Sequence, residues 1–475
     1  MKSNKAESGG RRRGKRLAGV AAAAAVVAAL LAACSSTPGS SAAGGNGSGG
    51  STGKVHLTYA LWDPNEEVGY KNSIAVFEKA HPNISVSFVQ IPYQDYQTKL
   101  QEEFTSGSGP DLFWVNTPWL STWIKDGFLT NIAPDITSAH IDMPQYIPSL
   151  VSLHSYNGAI YGLPKDWDTV AVYYNEDYFA QHHIQVPTNW SWNPADGGRF
   201  LQVLKEATID TSGNNALSPK FNPAHIATYG GEIDNSMQVG WGNLLAEDGV
   251  FTIPKPFATS VSYNKPVADQ VFQFIRDLMY KDNVMVPGSE LGSNGTDPNS
   301  QNQSLFAAGK IATMIGGDWS TSGVYQAVGG KFKLGVLPLP AGPNGTWSVF
   351  NGLIDGINTH TQNFQAAWQL EQWLGSAASQ KILGQGGYVW PAIPSLDPLF
   401  AKYWAKKGVD MSGFLSESKG NLANWPNAPG MNQALTDMAS DMGPIWNGPG
   451  TLAQTSATIA TSSNDANHDL ATANG

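Results

Sequence analysis

The sequence predicts an α/β protein with two lobes, each built on a mostly parallel sheet flanked by helices. The first observation is a strand–helix–strand–helix–strand pattern between residues 57 and 115, which right-handed crossovers fold into a parallel sheet. The second observation is length, because about 420 residues follow position 53, more than one hydrophobic core serves. A second lobe is therefore expected after the first.

The N-terminus is typical of an export signal. Residues 1–16 carry seven Lys or Arg and one Glu, and the apolar stretch 17–33 ends directly before Cys34. Small residues before a Cys resemble the cleavage site of bacterial lipoproteins, and 17 residues are short for a span of ~30 Å. We therefore expect a signal peptide over 1–33, a lipidated, palmitate-bearing Cys34, and a flexible tether over 34–53. Such a protein would be extracytoplasmic and anchored to the cell membrane.

Charge and cysteine content exclude several classes of function. Residues 1–33 hold seven of the 28 Lys and Arg and one of the 38 Asp and Glu, so the mature chain carries a net charge of −16. It keeps only Arg199 and Arg276 as arginines, which argues against nucleic acid and against phosphate or carboxylate ligands. A neutral polar ligand is expected. Cys34 is the only cysteine, which excludes disulfides and Cys-based metal or catalytic sites.

The first lobe can be followed element by element. A strand at 57–62 precedes a helix whose apolar residues recur at helical spacing over 70–77. Residues 84–88 alternate as a half-buried strand, 96–104 form a second amphipathic helix, and 112–115 is the apolar run of a central strand. Ligands of such sheets bind beyond the carboxyl ends of the strands. The residues at those ends are Trp62, Asp63, Asn116 and Trp119.

A second candidate contact lies in residues 161–177. Gly162 and Pro164 favour an extended chain, and the β-branched and aromatic run 169–174 is typical of a buried strand. Asp166 and Asp168 stand between these pieces. Residues two apart in an extended chain face the same way, so both carboxylates are predicted to point into one space.

Several short sequence motifs of this chain resemble those of the maltose-binding-protein-like family, the extracellular sugar-binding proteins of ABC importers. The family's crossover phrase is similar to Tyr-Gly-Leu-Pro at 161–164 with Tyr-Asn at 174–175. Ser-Gly-Ser-Gly-Pro-Asp-Leu-Phe-Trp-Val-Asn at 106–116 is similar to a second signature. Further similar phrases lie at 306–319, at 335–340, at 351–357 and at 386–391.

The resemblance implies a periplasmic-binding-protein-like fold with a ligand cleft at the hinge. It implies an N-terminal lobe over 54–165 and 353–398 and a C-terminal lobe over 166–352 and 399–475. It also implies a monomer without cofactor or metal that captures a carbohydrate and delivers it to the permease of an ABC importer, and that is not an enzyme. Residues 451–475 are compatible with a last weak helix or with a frayed tail.

Candidate ligand residues combine aromatic rings, which stack on the CH faces of sugars, with oxygen groups that accept sugar hydroxyls. For each residue the alternative is a role in the core, in a helix cap or in a solvated loop. Asp168 has the best support because it resembles the family's acidic ligand residue. The predicted set is Trp62, Asp63, Asn116, Trp119, Asp166, Trp167, Asp168, Trp241, Asp318, Trp319, Asn351 and Trp390.

Two other functions remain open on these residues. A glycoside hydrolase needs two carboxylates about 5–10 Å apart, which Asp166 and Asp168 satisfy in principle. A lipoprotein that binds sugar only to report to a sensor would have the same sequence features. A calcium loop starting at Asp297 is excluded, because Asn302 and Ala308 stand where that loop requires Gly and Glu.

Overall fold

The computed structural model describes residues 53–291 and 301–474. The strands are β1 Val55–Leu61, β2 Ile84–Gln90, β3 Leu112–Val115, β4 Ser155–Tyr156, β5 Ala159–Ile160, β6 Val170–Asn175, β7 Ile209–Asp210, β8 Ile226–Thr228, β9 Thr313–Gly317, β10 Leu334–Leu337, β11 Trp347–Phe350, β12 Ile354–Ile357 and β13 Asn421–Asn424. The helices are α1 Pro64–Ala80, α2 Tyr93–Thr105, α3 Thr117–Lys125, α4 Ala133–Ser138, α5 Pro148–Leu153, α6 Glu176–Gln181, α7 Gly198–Ala207, α8 Gly242–Glu247, α9 Pro266–Tyr280, α10 Gln301–Ala307, α11 Thr321–Val328, α12 Phe364–Gly375, α13 Ala377–Gln385, α14 Asp397–Lys406, α15 Ser412–Lys419, α16 Met431–Trp446 and α17 Leu452–Asn474.

A four-stranded sheet in the order β12-β3-β1-β2 forms the centre of the first lobe. β1 runs parallel to both β2 and β3, which confirms the predicted strand–helix alternation, and β12 returns antiparallel to β3. β3 is buried along its whole length, as its unbroken apolar run requires. The carboxyl ends of β1 and β3 therefore open at one edge of the sheet.

A three-stranded sheet in the order β10-β6-β9 forms the centre of the second lobe. β6 is antiparallel to both neighbours, so the prediction of a mostly parallel sheet is wrong for this lobe. The cause is the direction of the chain at the crossover. β6 begins just after Asp168 and runs away from the hinge, whereas β9 runs towards it and ends directly before Asp318.

The C-terminal segment is a helix rather than a frayed tail. α17 packs along α16 and against α9, and its buried stripe consists mostly of small side chains. Arg276 of α9 links this helix to the junction of α16 and α17. Its guanidinium donates to the carbonyls of Pro444 and Gly448 and to Thr455 Oγ1. The end of the chain is thus part of the second lobe's core.

The predicted signal peptide, Cys34 and nearly all of the tether lie outside the described residues. Within 53–291 and 301–474, no helix combines the length and apolarity that crossing a membrane requires. The exact lobe boundaries stay a prediction.

Candidate functional site

Two extended segments pair side by side where the chain passes between the lobes. Asp168 N–H donates to the carbonyl of Asn351 at 2.8 Å, and Asn351 N–H donates back at 3.2 Å. Gly352 is required here because a Cβ at its position would lie 2.5 Å from the carbonyl oxygen of Asp166. On the other side, Trp167 N–H donates to the carbonyl of Trp390 at 3.1 Å. The hinge is therefore a small backbone-paired ribbon, which fixes the side chains on it.

An inner cavity of about 40 Å³ lies against this ribbon. Both lobes contribute to its walls. Its volume holds a few water molecules or one functional group, but not a sugar ring. The cavity is lined by Trp62, Asp63, Glu66, Tyr93, Asn116, Asp166, Asp168, Gln238, Trp319, Asn351 and Leu353.

The inner cavity is rich in carboxyl groups that differ in how they are satisfied. Asp63 caps α1, where its Oδ1 accepts from the N–H groups of Asn65 at 2.7 Å and Glu66 at 3.2 Å. Asp166 Oδ1 accepts from Leu353 N–H at 2.6 Å. In contrast, Glu66 Oε2 is buried and has no hydrogen-bond partner among the described residues. The buried carboxyl group of Asp318 is hydrogen-bonded to Asp168 and to backbone N–H groups. Some of the site's acceptors are thus held by the fold, and others are not.

Burial raises the pKa of these carboxyl groups, and their mutual repulsion raises it further. The pKa of Asp166 rises to about 7, chiefly through burial and against the lowering effect of Lys165. Burial first, and then the neighbouring carboxylates, raise the pKa of Glu66, Asp168 and Asp318 well above the usual range. A donor or a cation bound in the cavity would lower these pKa values again.

Lys165 is the cation whose charge acts on Asp166, and it forms an ion pair with Asp355. Its Nζ lies 3.0 Å from Asp355 Oδ1 and 4.0 Å from the centre of the Trp114 ring, and its side chain is fully buried. Asp355 also accepts from Tyr59 O–H at 2.7 Å. This network belongs to the core of the first lobe. The charge of Lys165 lowers the pKa of Glu66, Asp166 and Asp168, but its ion pair is with Asp355.

A larger outer chamber of about 550 Å³ adjoins the inner cavity and shares Tyr93 with it. Its described lining contains no charged side chain. Trp119 Nε1 donates across the chamber to Asn432 Oδ1 at 2.8 Å and thereby links α3 to α16. The chamber is lined by Tyr93, Gln94, Gln97, Thr98, Pro118, Trp119, Asn235, Ser236, Met237, Trp241, Trp425, Asn432, Gln433, Leu435, Thr436 and Ala439.

The structure brings most of the predicted ligand residues to these two spaces. Trp119 and Trp241 line the outer chamber. Asp318 is buried beside Asp168, whose charge contributes to its raised pKa. The predicted residues in the lining of the inner cavity are Trp62, Asp63, Asn116, Asp166, Asp168, Trp319 and Asn351.

Trp167 and Trp390 reach neither space. Their rings pack 4.6 Å apart in the core, and Trp167 Nε1 donates to Asp397 Oδ1 at 3.2 Å. The alternation of an extended chain explains this, because it turns Trp167 to the face opposite Asp166 and Asp168. Whether any of the twelve residues contacts ligand stays a prediction.

Sequence reasoning missed several lining residues. Glu66 was not among the predicted residues; it lies in the first turn of α1, directly after the cap at Asp63, and lines the cavity. Gln238 lies in a π-helical turn, residues 237–241, that is broken at Gly240 by φ −123° and ψ −120°. The Gly-Trp-Gly phrase at 240–242 was the available signal for that irregular turn.

The sequence profile of the bacterial extracellular solute-binding proteins matches residues 72–409. This chain belongs to that family. The match spans more than half of the chain and includes both crossover segments of the hinge.

Among relatives of this solute-binding protein, the galactooligosaccharide-binding protein of Bacillus subtilis is 25% identical over 402 residues, which cover 82% of this chain and 84% of the relative. The maltotriose-binding protein of Pyrococcus abyssi is 23% identical over 327 residues, covering 68% and 62% of the two chains. Both relatives are named as binding proteins rather than as enzymes.

Solved structures show the same two-lobed fold. UspC of M. tuberculosis is 27% identical with a TM-score of 0.69, over 87% of this chain and 100% of that one. An ABC substrate-binding protein of Listeria monocytogenes, solved in complex with cycloalternan, has a TM-score of 0.74 at 18% identity, over 88% and 99% of the two chains. The periplasmic-binding-protein-like fold predicted from the sequence is confirmed.

Proposed function

We propose that this solute-binding protein captures a sugar or oligosaccharide between its lobes and delivers it to the permease of an ABC importer. The observation that carries the proposal is the uncharged outer chamber. Its amides and hydroxyls match sugar hydroxyls, and its indole rings match the apolar faces of sugar rings. A chamber of about 550 Å³ has room for more than one ring, which favours an oligosaccharide.

Capture requires the two lobes to close on the ligand. The inner cavity takes Trp62 and Asn116 from the first lobe and Gln238 and Trp319 from the second, so a ligand there contacts both lobes at once. Contacts of that kind favour the closed arrangement over the open one, which is the thermodynamic requirement for ligand-driven closure.

Further parts of the proposal concern the anchor and the chemistry. We infer that Cys34 carries lipid and that the tether holds a monomeric binding domain outside the membrane, with lobes at 54–165 with 353–398 and at 166–352 with 399–475. We also infer that the protein does not catalyse a reaction and needs no cofactor or metal. The family is extracellular, which supports this location. The sensor lipoprotein is the alternative with the same binding step.

Calorimetry against a panel of mono- and oligosaccharides, combined with small-angle scattering, tests the proposal. We expect at least one oligosaccharide to bind with a stoichiometry of about one and to reduce the radius of gyration at saturation. A panel without any binding sugar would refute the function. Tight binding with an unchanged radius would refute the closure step alone.

A further inference from the structure

The inner cavity has a marked imbalance of charge. Four carboxyl groups line it, namely those of Asp63, Glu66, Asp166 and Asp168, and a fifth, that of Asp318, lies next to Asp168. Its described lining contains no Lys or Arg, and Lys165 is committed to Asp355. Glu66, Asp166 and Asp168 thus share the charge of one lysine that is ion-paired elsewhere, and a bound cation would offset part of the cost of burying them.

Unsatisfied acceptors point to a donor that the protein does not supply. Glu66 is only 6% exposed, and its Oε2 lies in the wall of the inner cavity without a hydrogen-bond partner. Asp168 lines the same cavity and is hydrogen-bonded to Asp318, so these two carboxyl groups supply further acceptor oxygens. A hydroxyl brings one donor, whereas a protonated amine brings three donors and a positive charge. The amine therefore satisfies more of these oxygens than a hydroxyl does.

The size of the cavity restricts what enters it. A volume of about 40 Å³ fits a single group of about the size of one or a few waters. The sugar rings would then lie in the outer chamber, whose described lining is uncharged. The two spaces thus separate the charged part of a ligand from its neutral part.

We propose that the inner cavity binds the protonated amino group of an amino sugar, while the neutral rings of the same ligand occupy the outer chamber. This inference rests on the proposed sugar-binding function and differs from the neutral ligand expected from the sequence. That expectation came from an acidic surface with two arginines. Those features exclude anions, but they do not oppose a cation.

Matched ligand pairs test the inference in the wild-type protein. The panel pairs glucosamine with glucose, galactosamine with galactose, and the β-1,4-linked glucosamine trimer with cellotriose and with its N-acetylated form. Calorimetry at about pH 6.5 keeps the amines charged, since amino groups of this kind titrate nearer ~7.7. We expect at least one amino member to bind tenfold or more tightly than its uncharged counterparts, which is about the effect of one charged hydrogen bond.

Two variants locate the effect. Glu66→Gln keeps the shape but removes the carboxyl group that a bound ammonium would hold ionised, and it should reduce the preference for the amino member several-fold. Glu67→Gln makes the same change one residue later, at a side chain that pairs with Lys71 and does not line the cavity, and it should keep the full preference. Melting temperatures of the unliganded variants check that both are folded.

The outcomes separate the two proposals. If neutral sugars bind and no amino member exceeds its counterpart, the amine site is refuted and the sugar-binding function stands. If the two variants lose the preference equally, the charge acts from outside the inner cavity and the inference fails. If no sugar of either kind binds, the proposed function fails together with it.

Discussion

Of the tryptophans predicted from the sequence as ligand contacts, one lines the inner cavity and another is buried in the core, and substitutions can distinguish the two roles. Trp319 is partly exposed and lines the inner cavity. Trp390 is 2% exposed, and its ring lies 4.6 Å from both Trp167 and Phe400. Substituting each by Ala should therefore separate ligand binding from stability.

The expected magnitudes follow from burial. The ligand group that enters the inner cavity covers only part of the Trp319 indole, which removes roughly 40–60 Å² of apolar surface from water, about 1–1.5 kcal/mol or roughly 5- to 12-fold in Kd. Trp319→Ala should weaken binding by that factor and change the unliganded melting temperature little. Trp390→Ala empties a packed core position and should cost about 3–5 kcal/mol of stability, or roughly 3–6 °C in Tm for a folded part of this length.

Calorimetry with the tightest sugar and thermal unfolding of the unliganded protein measure the two effects. Trp347→Ala serves as the control, because Trp347 is a partly exposed indole on β11 that lines neither space. The reasoning would be refuted if Trp319→Ala lowered Tm as much as Trp390→Ala while leaving Kd unchanged.

Three further predictions concern catalysis, pH and the anchor. Wild type incubated with its tightest oligosaccharide should release no reducing ends. Asp168→Asn should weaken binding roughly 5- to 150-fold, because the amide replaces an acceptor oxygen with a donor and leaves a sugar hydroxyl unpaired; steady cleavage that vanishes in the variant would favour a hydrolase instead. Burial raises the pKa of Glu417 from 4.5 to about 7, so between these pH values the folded state binds more protons than the unfolded state. The free energy of unfolding should therefore fall by about 3 kcal/mol as pH rises from 4.5 through 7. In denaturant unfolding, the stability of Glu417→Gln relative to wild type should increase by that amount between pH 4.5 and pH 8. Equal pH dependence of the two proteins would contradict this. Cys34→Ala should leave binding intact but abolish labelling by a radioactive fatty acid, and persistent label would exclude lipidation at this residue.

Local pattern predicted the first lobe because its elements carry strong and separate signals. The apolar run at 112–115 can be buried only in a central strand, and the alternation at Asp166 and Asp168 placed both side chains in one cavity. These features depend on residues close in sequence, so the local sequence pattern is enough to predict them.

Other features depend on partners distant in sequence. α17 has a buried stripe at helical spacing, but Thr455, Ser462 and Ala466 belong to it, and such small residues carry little apolar signal. Trp390 follows a Gly-rich turn typical of a cleft, yet it is covered by Trp167 and Phe400 from other segments. The antiparallel second sheet is set by the direction in which β6 leaves the hinge, which no local pattern encodes.

The ribbon at the hinge has a consequence for how this binding protein can change its ligand. Asp166, Asp168 and Asn351 line the inner cavity and also belong to the paired segments about which the lobes turn. We expect a substitution there to change the opening and closing of the lobes together with ligand affinity. Gln433 and Thr436 line the outer chamber from α16, away from that ribbon. We therefore expect substitutions that change the preferred ligand without changing lobe closure to lie on the α16 side of the outer chamber.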